Sequence, residues 1–532
     1  MNDGTVSTVD PNTLAAWLTD GDELALLDAR EEGVYFQSHL FHATNVPVSK
    51  LELVLGDLVP RFDTRLVWCD DGASGLASRA AARAGELGWS NQFLLTGGTE
   101  GWQSSGHELY AGVNVPSKAF GEFVEHTYGT PRLPADEVAK LLDTGADVVV
   151  LDSRPLGEFR RMSIPAGVDC PGAELVHRVK EVAPDPDTLV IVNCAGRTRS
   201  IIGAQSLINA GLENRVVALE NGTMGWQLAG HQVATGLEIA APAPSDSSRA
   251  WAIERADRVR ERFGVEVIDD VILEEWLEDR DRTTYLFDVR SPEEYLEAHR
   301  PGTRHAAGGQ LVQATDTYIG TRNARVVLFD DDGVRASMTA SWLRQMGWRD
   351  AVVMTPAPRI GESGPSGSAR IVADPLAPVD PTTLVDGVPD GTVVIDLASS
   401  LAYRRHGHLP GAYWAVRSRL AEARAAIGDA ERVIVTSSDG ALAALAAGEV
   451  ATRWPNASVS VLAGGTRAWI AVGGAPELGL TRPTTEIDDI WYKPYDHDDD
   501  VPEQHMQDYL TWEVALVEQL ARDSTVSFEP FS

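Results

Sequence analysis

The sequence predicts an α/β fold that repeats one unit, and each copy is a mainly parallel sheet flanked by helices. Short apolar runs rich in β-branched residues alternate with segments of helical spacing, which is typical of parallel strands joined by helices. One order of strands, turns and helices recurs four times along the chain. The length of 532 residues is sufficient for several domains.

Each copy of the unit contains the same signals in the same order. A helix with apolar spacing precedes a strand that ends in Asp-x-Arg or a related sequence, and a turn with Pro and Gly or a similar sequence follows. A second strand leads into a Gly-containing loop and a helix, and a last strand is followed by Gly-Gly-x-x-x-Trp or a relative of it. The third copy lacks a clear closing motif of this kind. We predict the copies at residues 8–111, 112–243, 264–360 and 376–478.

The segments between the copies differ in composition. A Pro/Ala/Ser-rich link at 240–248 precedes residues 251–263, whose alternating charges predict an exposed connecting helix. A loose segment at 361–367 separates the third copy from the fourth. The tail, 479–532, contains an acidic run at 496–500 and an amphipathic helix at 503–522. We expect this helix to pack back on the domains, and docking of a partner is the alternative.

Composition limits the functions to be considered. A formal net charge of −33 argues against nucleic acid and anionic membranes as partners. Only three cysteines are present, which excludes a disulfide framework and favours a cytoplasmic location. We expect no secretory signal and no membrane span. The histidines are scattered and no nucleotide-binding loop is recognisable, so neither a metal nor a cofactor is expected.

Cys194 lies where a buried strand ends and a helix begins, within a loop at residues 194–200 that we call the Cys194 loop. Unpaired amides and the helix dipole favour an anion at such a junction. Arg197 and Arg199 would stabilise the thiolate form of Cys194. This arrangement suits nucleophilic attack on an anionic, sulfur-bearing substrate. The alternative is a buried cysteine that acts as a small hydrophobic residue.

The Cys194 loop resembles the active-site loop of rhodanese-type sulfurtransferases. The likeness extends to the strand end at 152–154, to motifs within 158–165 and to the closing motif at 222–226. In that family a strand-end cysteine accepts a sulfane sulfur as a persulfide and passes it to a nucleophile. The resemblance therefore implies four tandem rhodanese-like domains, with thiosulfate or a related persulfide as donor and a thiol or cyanide as acceptor. A protein could also accept the sulfur.

The resemblance and the local charges together give a set of expected site residues. Cys194 is the expected nucleophile, and Asp152 is expected to support the site. The residues expected to bind the donor are Arg154, Ala195, Gly196, Arg197, Thr198, Arg199 and Ser200. The alternative for Arg197 and Arg199 is surface solvation. For Arg154 it is an ion pair with Asp152 or Glu158.

Only the second copy is expected to be active. The residue at the start of the corresponding loop is Asp330 in the third copy and Ser437 in the fourth, and neither can carry a sulfane sulfur. In the first copy Cys69 ends a strand, but two acidic residues follow it, so we interpret Cys69 as structural. Cys170 is either a resolving thiol or, more simply, a small buried residue.

Two other classes of function remain open from the sequence. Phosphatases of the Cdc25 type and arsenate reductases have a similar fold with a Cys-x5-Arg loop. Here Arg199 is five positions after Cys194 and Ser200 is sixth, which predicts a tighter pocket that suits sulfur better than a phosphoryl group. The third class is a non-catalytic sulfur-relay or protein-binding scaffold. The Cys194 loop matches neither the mercaptopyruvate pattern nor the thiosulfate pattern of the family, so the donor stays open.

Overall fold

A computed structural model describes residues 6–355, 361, 363–364, 369, 371–497, 501–528 and 530–531. It contains four sheets of five parallel strands, each flanked by helices, and this confirms the predicted fold class. We call the units that contain these sheets domains 1 to 4. Their boundaries stay predictions. Parts of the loose segment at 361–367 and of the acidic run at 496–500 lie outside the described residues.

Domain 1 contains the first sheet, in the order β1-β5-β4-β2-β3. Its elements are β1 (Ser7–Val9), α1 (Pro11–Trp17), β2 (Ala25–Asp28), α2 (Glu32–Tyr35), β3 (Thr44–Asn45), α3 (Leu51–Leu58), β4 (Leu66–Cys69), α4 (Leu76–Glu86), β5 (Gln92–Leu95) and α5 (Gly98–Ser104). A longer helix, α6 (Val115–Tyr128), leads into domain 2.

Domain 2 repeats this arrangement in the order β6-β10-β9-β7-β8. Its elements are β6 (Arg132–Leu133), α7 (Ala135–Asp143), β7 (Val148–Asp152), α8 (Leu156–Arg161), β8 (Gly167–Asp169), α9 (Glu174–Val182), β9 (Leu189–Asn193), α10 (Thr198–Asn209), β10 (Val216–Leu219) and α11 (Gly222–Leu228). Every residue of the central strand β9 is buried, as expected for a parallel strand covered by helices on both faces.

Domain 3 follows α12 (Asp246–Phe263) and has the strand order β11-β15-β14-β12-β13. Its elements are β11 (Val267–Ile268), α13 (Asp270–Glu278), β12 (Thr284–Asp288), α14 (Pro292–Glu297), β13 (Arg304–His305), α15 (Gly308–Gln313), α16 (Thr315–Tyr318), β14 (Arg325–Phe329), α17 (Val334–Gln345) and β15 (Ala351–Met354).

Domain 4 has the order β16-β20-β19-β17-β18. Its elements are β16 (Pro378–Val379), a 3-10 turn (Pro381–Leu384), β17 (Thr392–Asp396), α18 (Ser400–His406), β18 (Tyr413–Trp414), a second 3-10 turn (Arg417–Arg419), α19 (Leu420–Ile427), β19 (Arg432–Thr436), α20 (Ala441–Arg453), β20 (Ser458–Leu462) and α21 (Gly465–Ala471). The tail forms α22 (Pro502–Leu520).

The helix between domains 2 and 3 corrects one sequence expectation. We predicted an exposed connecting helix at 251–263, but one face of α12 is buried against α9 and α17. The buried residues Ala252, Ala256, Val259 and Phe263 recur at helical spacing and join the hydrophobic core that domains 2 and 3 share. The prediction was wrong because many charged residues surround this narrow apolar stripe and hide it in the sequence.

The tail helix packs back on the domains, as expected. α22 lies along α6, and Leu516 is buried among Phe41, Tyr110, Val115 and Ala119. Near its start, the same helix contacts the Cys194 loop through Met506 and other apolar side chains. No helix in the described part of the chain is long and apolar enough to cross a membrane.

Candidate functional site

Strand register shows which residue of each domain corresponds to Cys194. The aspartate that ends β7, Asp152, pairs with Asn193, and the matching Asp28 in domain 1 pairs with Cys69. Cys194 therefore corresponds to the residue after Cys69, which is Asp70. By the same register, the position holds Asp330 in domain 3 and Ser437 in domain 4. The register thus places Cys69 one position before the loop.

In domains 1 and 3 the residue at this position is an aspartate, and its hydrogen bonds show which groups surround the position. Asp330 accepts hydrogen bonds from the amides of Gly333 and Ala336, at 2.6 and 3.1 Å. Asp70 accepts from the amide of Ala77 at 3.0 Å, also in the first turn of the following helix. Each of these helix starts therefore donates backbone hydrogen bonds to a carboxyl side chain of the chain itself. In domain 2 the side chain at this place is the thiol of Cys194.

The Cys194 side chain is only 1% exposed, and its Sγ lies 3.6 Å from Oγ of Ser200. The closing motif that follows β10 holds the loop in place. The amide of Thr223 donates to the carbonyl of Cys194 at 2.9 Å. Gly222 has φ +55°, and a Cβ there would lie 2.5 Å from the carbonyl oxygens of Cys194 and Gly196. This close approach explains why the motif needs glycine at that position.

Arg197 is buried and fully engaged with neighbouring side chains. Its Nε and Nη2 donate to the two carboxylate oxygens of Glu122 at 2.6 and 2.7 Å, and Nη2 also donates to Glu125. Nη1 donates to Asn221 at 3.1 Å. Asn221 has a positive φ of 58° and stands where the family pattern has its first glycine. The guanidinium therefore fastens the Cys194 loop to α6 and to the closing motif.

Arg199 also forms an ion pair, but it reaches the cavity beside the loop. Its Nη2 donates to Glu158 at 2.8 Å, and Nη1 contacts Gln310 of domain 3 at 3.4 Å. Burial alone would raise the pKa of Glu158, but the charge and hydrogen bonds of Arg199 lower it to about 2. This part of the site therefore carries a neutralised pair of charges. Donor binding by Arg197 and Arg199 stays a prediction.

Arg154 and Asp152 form a clip that recurs in other domains. Arg154 Nε donates to Asp152 at 2.8 Å, and its Nη2 donates to the carbonyl of Met162 at 2.6 Å. Arg30 and Arg290 make the corresponding contacts in domains 1 and 3, which have no cysteine at the loop position. The clip therefore fastens the strand end to the turn that follows it. A contact of Arg154 with substrate stays a prediction.

The other cysteines lie in apolar surroundings. Cys69 and Cys170 are fully buried, and burial raises the pKa of each thiol well above its usual value. Cys170 packs in the core with Leu151 and Leu175. All three cysteines of the chain are free thiols. Burial of this kind is typical of structural cysteines.

A cavity of about 140 Å³ lies against the Cys194 loop. Four parts of the chain line it, which the sequence did not reveal. They are α6 with the residues just before it, the Cys194 loop with α8 and α11, α15 of domain 3 with the residue that follows it, and the tail. The polar lining residues are Asn114, Lys118, Glu158, Arg199, Gln310, Gln313, Trp491, Lys493, Tyr495 and Tyr509. An amphipathic pattern pointed to the tail helix, but no sequence signal marked Lys118 or Lys493.

One group of carboxylates in the described part of the chain is close enough together to hold a metal. It consists of Asp330, Asp331 and Asp332 at the loop of domain 3. Asp330 binds backbone amides, Asp331 binds Arg335, and Asp332 accepts from His177 at 2.9 Å. These partners account for the cluster without a metal ion.

The fold and the site define a class of protein with four related α/β domains, one of which has a cysteine where two others have a carboxylate bound by helix-start amides. A family model described as "Rhodanese-like domain" matches residues 10–105, 134–229 and 271–355. The fourth domain lies outside these matches but has the same strand order. The chain therefore belongs to the rhodanese-like domain family.

Solved structures include a very similar protein over the whole length. A thiosulfate sulfurtransferase from Pseudomonas aeruginosa has 48% identity and a TM-score of 0.94, over 99% of this chain and 100% of that chain. An anaerobic ergothioneine biosynthesis enzyme from Chlorobium limicola has 16% identity over 68% of this chain and 100% of that chain, with a TM-score of 0.23. A possible tyrosine phosphatase from Rhodopseudomonas palustris has 27% identity over 21% of this chain and 89% of that chain, with a TM-score of 0.19. No curated protein matches.

Proposed function

We propose that this protein is a sulfurtransferase that carries a sulfane sulfur on Cys194 and takes it from thiosulfate. The observation that carries the proposal is the position of Cys194. In domains 1 and 3 the corresponding side chain is a carboxylate bound by amides at a helix start. The same place in domain 2 would bind the negative charge of a thiolate or persulfide. The similarity to the thiosulfate sulfurtransferase from Pseudomonas aeruginosa supports thiosulfate as donor.

The proposed reaction has two displacement steps. The Cys194 thiolate attacks the outer sulfur of thiosulfate, and the S–S bond breaks so that sulfite leaves with the electron pair. A persulfide remains on Cys194. Cyanide or an acceptor thiolate then attacks the outer sulfur of this persulfide, and the Cys194 thiolate is released. Loop amides between Ala195 and Ser200 would hold the charged sulfur in both steps.

Domains 1, 3 and 4 are inert in this proposal but contribute to the site. Asp70, Asp330 and Ser437 at the loop position cannot carry a sulfane sulfur. Domain 3 contributes Gln310 to the cavity, next to Arg199. No feature of the described site favours phosphate hydrolysis or a purely structural role over sulfur transfer. The free thiols agree with the proposed cytoplasmic location.

The test measures thiocyanate formed from thiosulfate and cyanide, together with the intact mass of the protein after donor alone. Wild type should turn over and gain one sulfur atom. Cys194→Ser should abolish both, and Cys69→Ser, the matched control, should retain most activity. Equal losses from the two variants would contradict the single-site proposal. If no sulfane donor, including glutathione persulfide, modifies the protein, the proposal is wrong. Hydrolysis of an aryl phosphate would then favour the phosphatase alternative.

A further inference from the structure

The cavity beside Cys194 contains a lysine that comes from outside the Cys194 loop. Lys118 lies on α6, is only 7% exposed and lines the cavity with Ala195 and Arg199. α6 packs closely on the start of α10, since a Cβ at Gly121 would lie 2.9 Å from Cγ2 of Thr198. This contact fixes α6 beside the cavity.

Lys118 lies on the face of α6 that contacts the Cys194 loop and the cavity. Glu122 and Glu125 follow it at i+4 and i+7, and both bind Arg197 of the Cys194 loop. The helix therefore supplies the carboxylates that neutralise a loop arginine and, one turn earlier, an amine directed to the cavity. The ion pairs to Arg197 hold this face in register with the loop.

The charge of Lys118 is not neutralised by a direct ion pair. Among the described residues, no carboxylate lies within ion-pair distance of its Nζ, whereas Arg197 and Arg199 both have such partners. Burial lowers the pKa of Lys118 to about 8, against the attraction of Glu513 and Cys194. A buried cation without a partner is unfavourable, so an anion that enters the cavity gains a strong contact.

We propose that Lys118 binds the oxyanion end of the sulfur donor while Cys194 attacks its sulfane sulfur. This inference rests on the sulfurtransferase function proposed above. It assigns the donor class to small sulfur compounds with an anionic sulfonate-like end, because the Lys118 amine lines a small cavity against the Cys194 loop and lies near enough to Cys194 for the two side chains to interact electrostatically. Lys118 is thus a donor-binding residue, and Arg197 and Arg199 hold the loop.

The kinetic test compares Lys118→Met with Lys140→Met, an exposed lysine on α7 of the same domain. Loss of a charge-assisted contact should raise KM for thiosulfate by roughly tenfold or more, with a smaller effect on kcat. Benzenethiosulfonate, which has one negative charge, should show a smaller rise in KM. Lys118→Arg should recover part of the affinity, and Lys140→Met should behave as wild type. Equal KM values in the two methionine variants would overturn the inference.

A binding test separates this inference from the proposed function. Calorimetry measures the Kd of thiosulfate for the Cys194→Ser protein, which cannot form a persulfide, with and without Lys118→Met. Weaker binding with Lys118→Met supports the inference, and unchanged binding overturns it without affecting the sulfurtransferase proposal. Conversely, failure of wild type to form a persulfide with any donor removes the function itself.

The pH dependence of this Kd provides a test that needs no change at Lys118. In wild type Cys194 is one of the titratable groups around Lys118, and it is serine in the protein used for this Kd. The other charged or titratable groups there are Glu513 on α22, Arg199, Glu158, Asp316, Lys493, Tyr495 and Tyr509. Because the amine is protonated below a pKa of about 8, thiosulfate binding should be strong at pH 7 and weaken as the pH rises through about 8. A Kd that stays constant across this range would also overturn the inference.

Discussion

Substitution of Gly222 by alanine tests whether the closing motif sets the geometry of the Cys194 loop. An alanine at positive φ costs roughly 1–2 kcal/mol. The new Cβ would also lie 2.5 Å from the carbonyl oxygens of Cys194 and Gly196, well inside contact distance. Overpacking of this kind costs roughly 1–3 kcal/mol. Gly222→Ala should therefore destabilise the protein by about 2–5 kcal/mol in total and displace the loop.

Domain 1 offers a matched control for this substitution. Gly98 has φ +56°, and a Cβ there would lie 2.3 Å from the carbonyl oxygen of Asp70, which corresponds to Cys194. Gly98→Ala should therefore cost a similar free energy of unfolding. Since Asp70 cannot carry sulfur, the rate of sulfur transfer by the folded Gly98→Ala protein should stay close to that of wild type.

The assay combines urea denaturation with thiocyanate formation at a temperature where both variants are folded. A displacement of about 1 Å in the loop should lower the transfer rate of Gly222→Ala by roughly 100-fold. Full activity in Gly222→Ala would show that the closing motif does not set the loop geometry. Equal losses of activity in Gly222→Ala and Gly98→Ala would refute the assignment of transfer to domain 2 alone.

Two further predictions concern contacts between domains. Burial opposes protonation of His177, but hydrogen bonds to Asp332 and Glu174 raise its pKa to about 9. The resulting stability should be complete below pH 6.5 and disappear as the pH rises through about 9. A melting-temperature series should show this decrease in wild type, and His177→Gln should lack it. Arg417 of domain 4 binds Glu52 of domain 1 at 2.8 Å, and both are buried. Arg417→Met should lower the urea-derived free energy of unfolding by about 3 kcal/mol, and a change below ~1 kcal/mol would contradict a structural role for this pair.

Short-range patterns in the sequence predicted the parts of the site that are local in the chain. The strand, loop and helix around Cys194 follow from an apolar run, a turn and helical spacing. The clip between Asp152 and Arg154 joins residues two positions apart, so an Asp-x-Arg motif is enough to indicate it. The residues that replace cysteine in the third and fourth copies were also recognisable, because Asp330 and Ser437 directly follow clear strands.

The first copy shows where such patterns are insufficient. Cys69 ends a strand, but the interval from Cys69 to Gly88, the glycine that ends the next helix, is two residues longer than the interval from Cys194 to Gly211. The sequence therefore left the alignment of Cys69 with Cys194 uncertain. The pairing of Asp28 with Cys69 and of Asp152 with Asn193 fixes the alignment. The sequence could not show it, because register depends on how two strands pair and not on either strand alone. Asp70, and not Cys69, occupies the anion-binding position.

By itself, the sequence determined the repeated α/β fold and the position of Cys194, the predicted nucleophile, between a strand and a helix. Only the tertiary structure decided which charges face the cavity. Donor binding by Arg197 and Arg199 stays a prediction, but the sequence did not show that carboxylates 75 and 41 positions away in the chain pair with them. Lys118 reaches the cavity because α6 packs against α10, and the tail reaches it from more than 260 positions further along the chain. Hydrogen bonds within a turn depend on neighbouring residues, so a short motif can predict them. Pairing between charges that are distant in the chain depends on how whole helices pack, and a short motif does not contain that information.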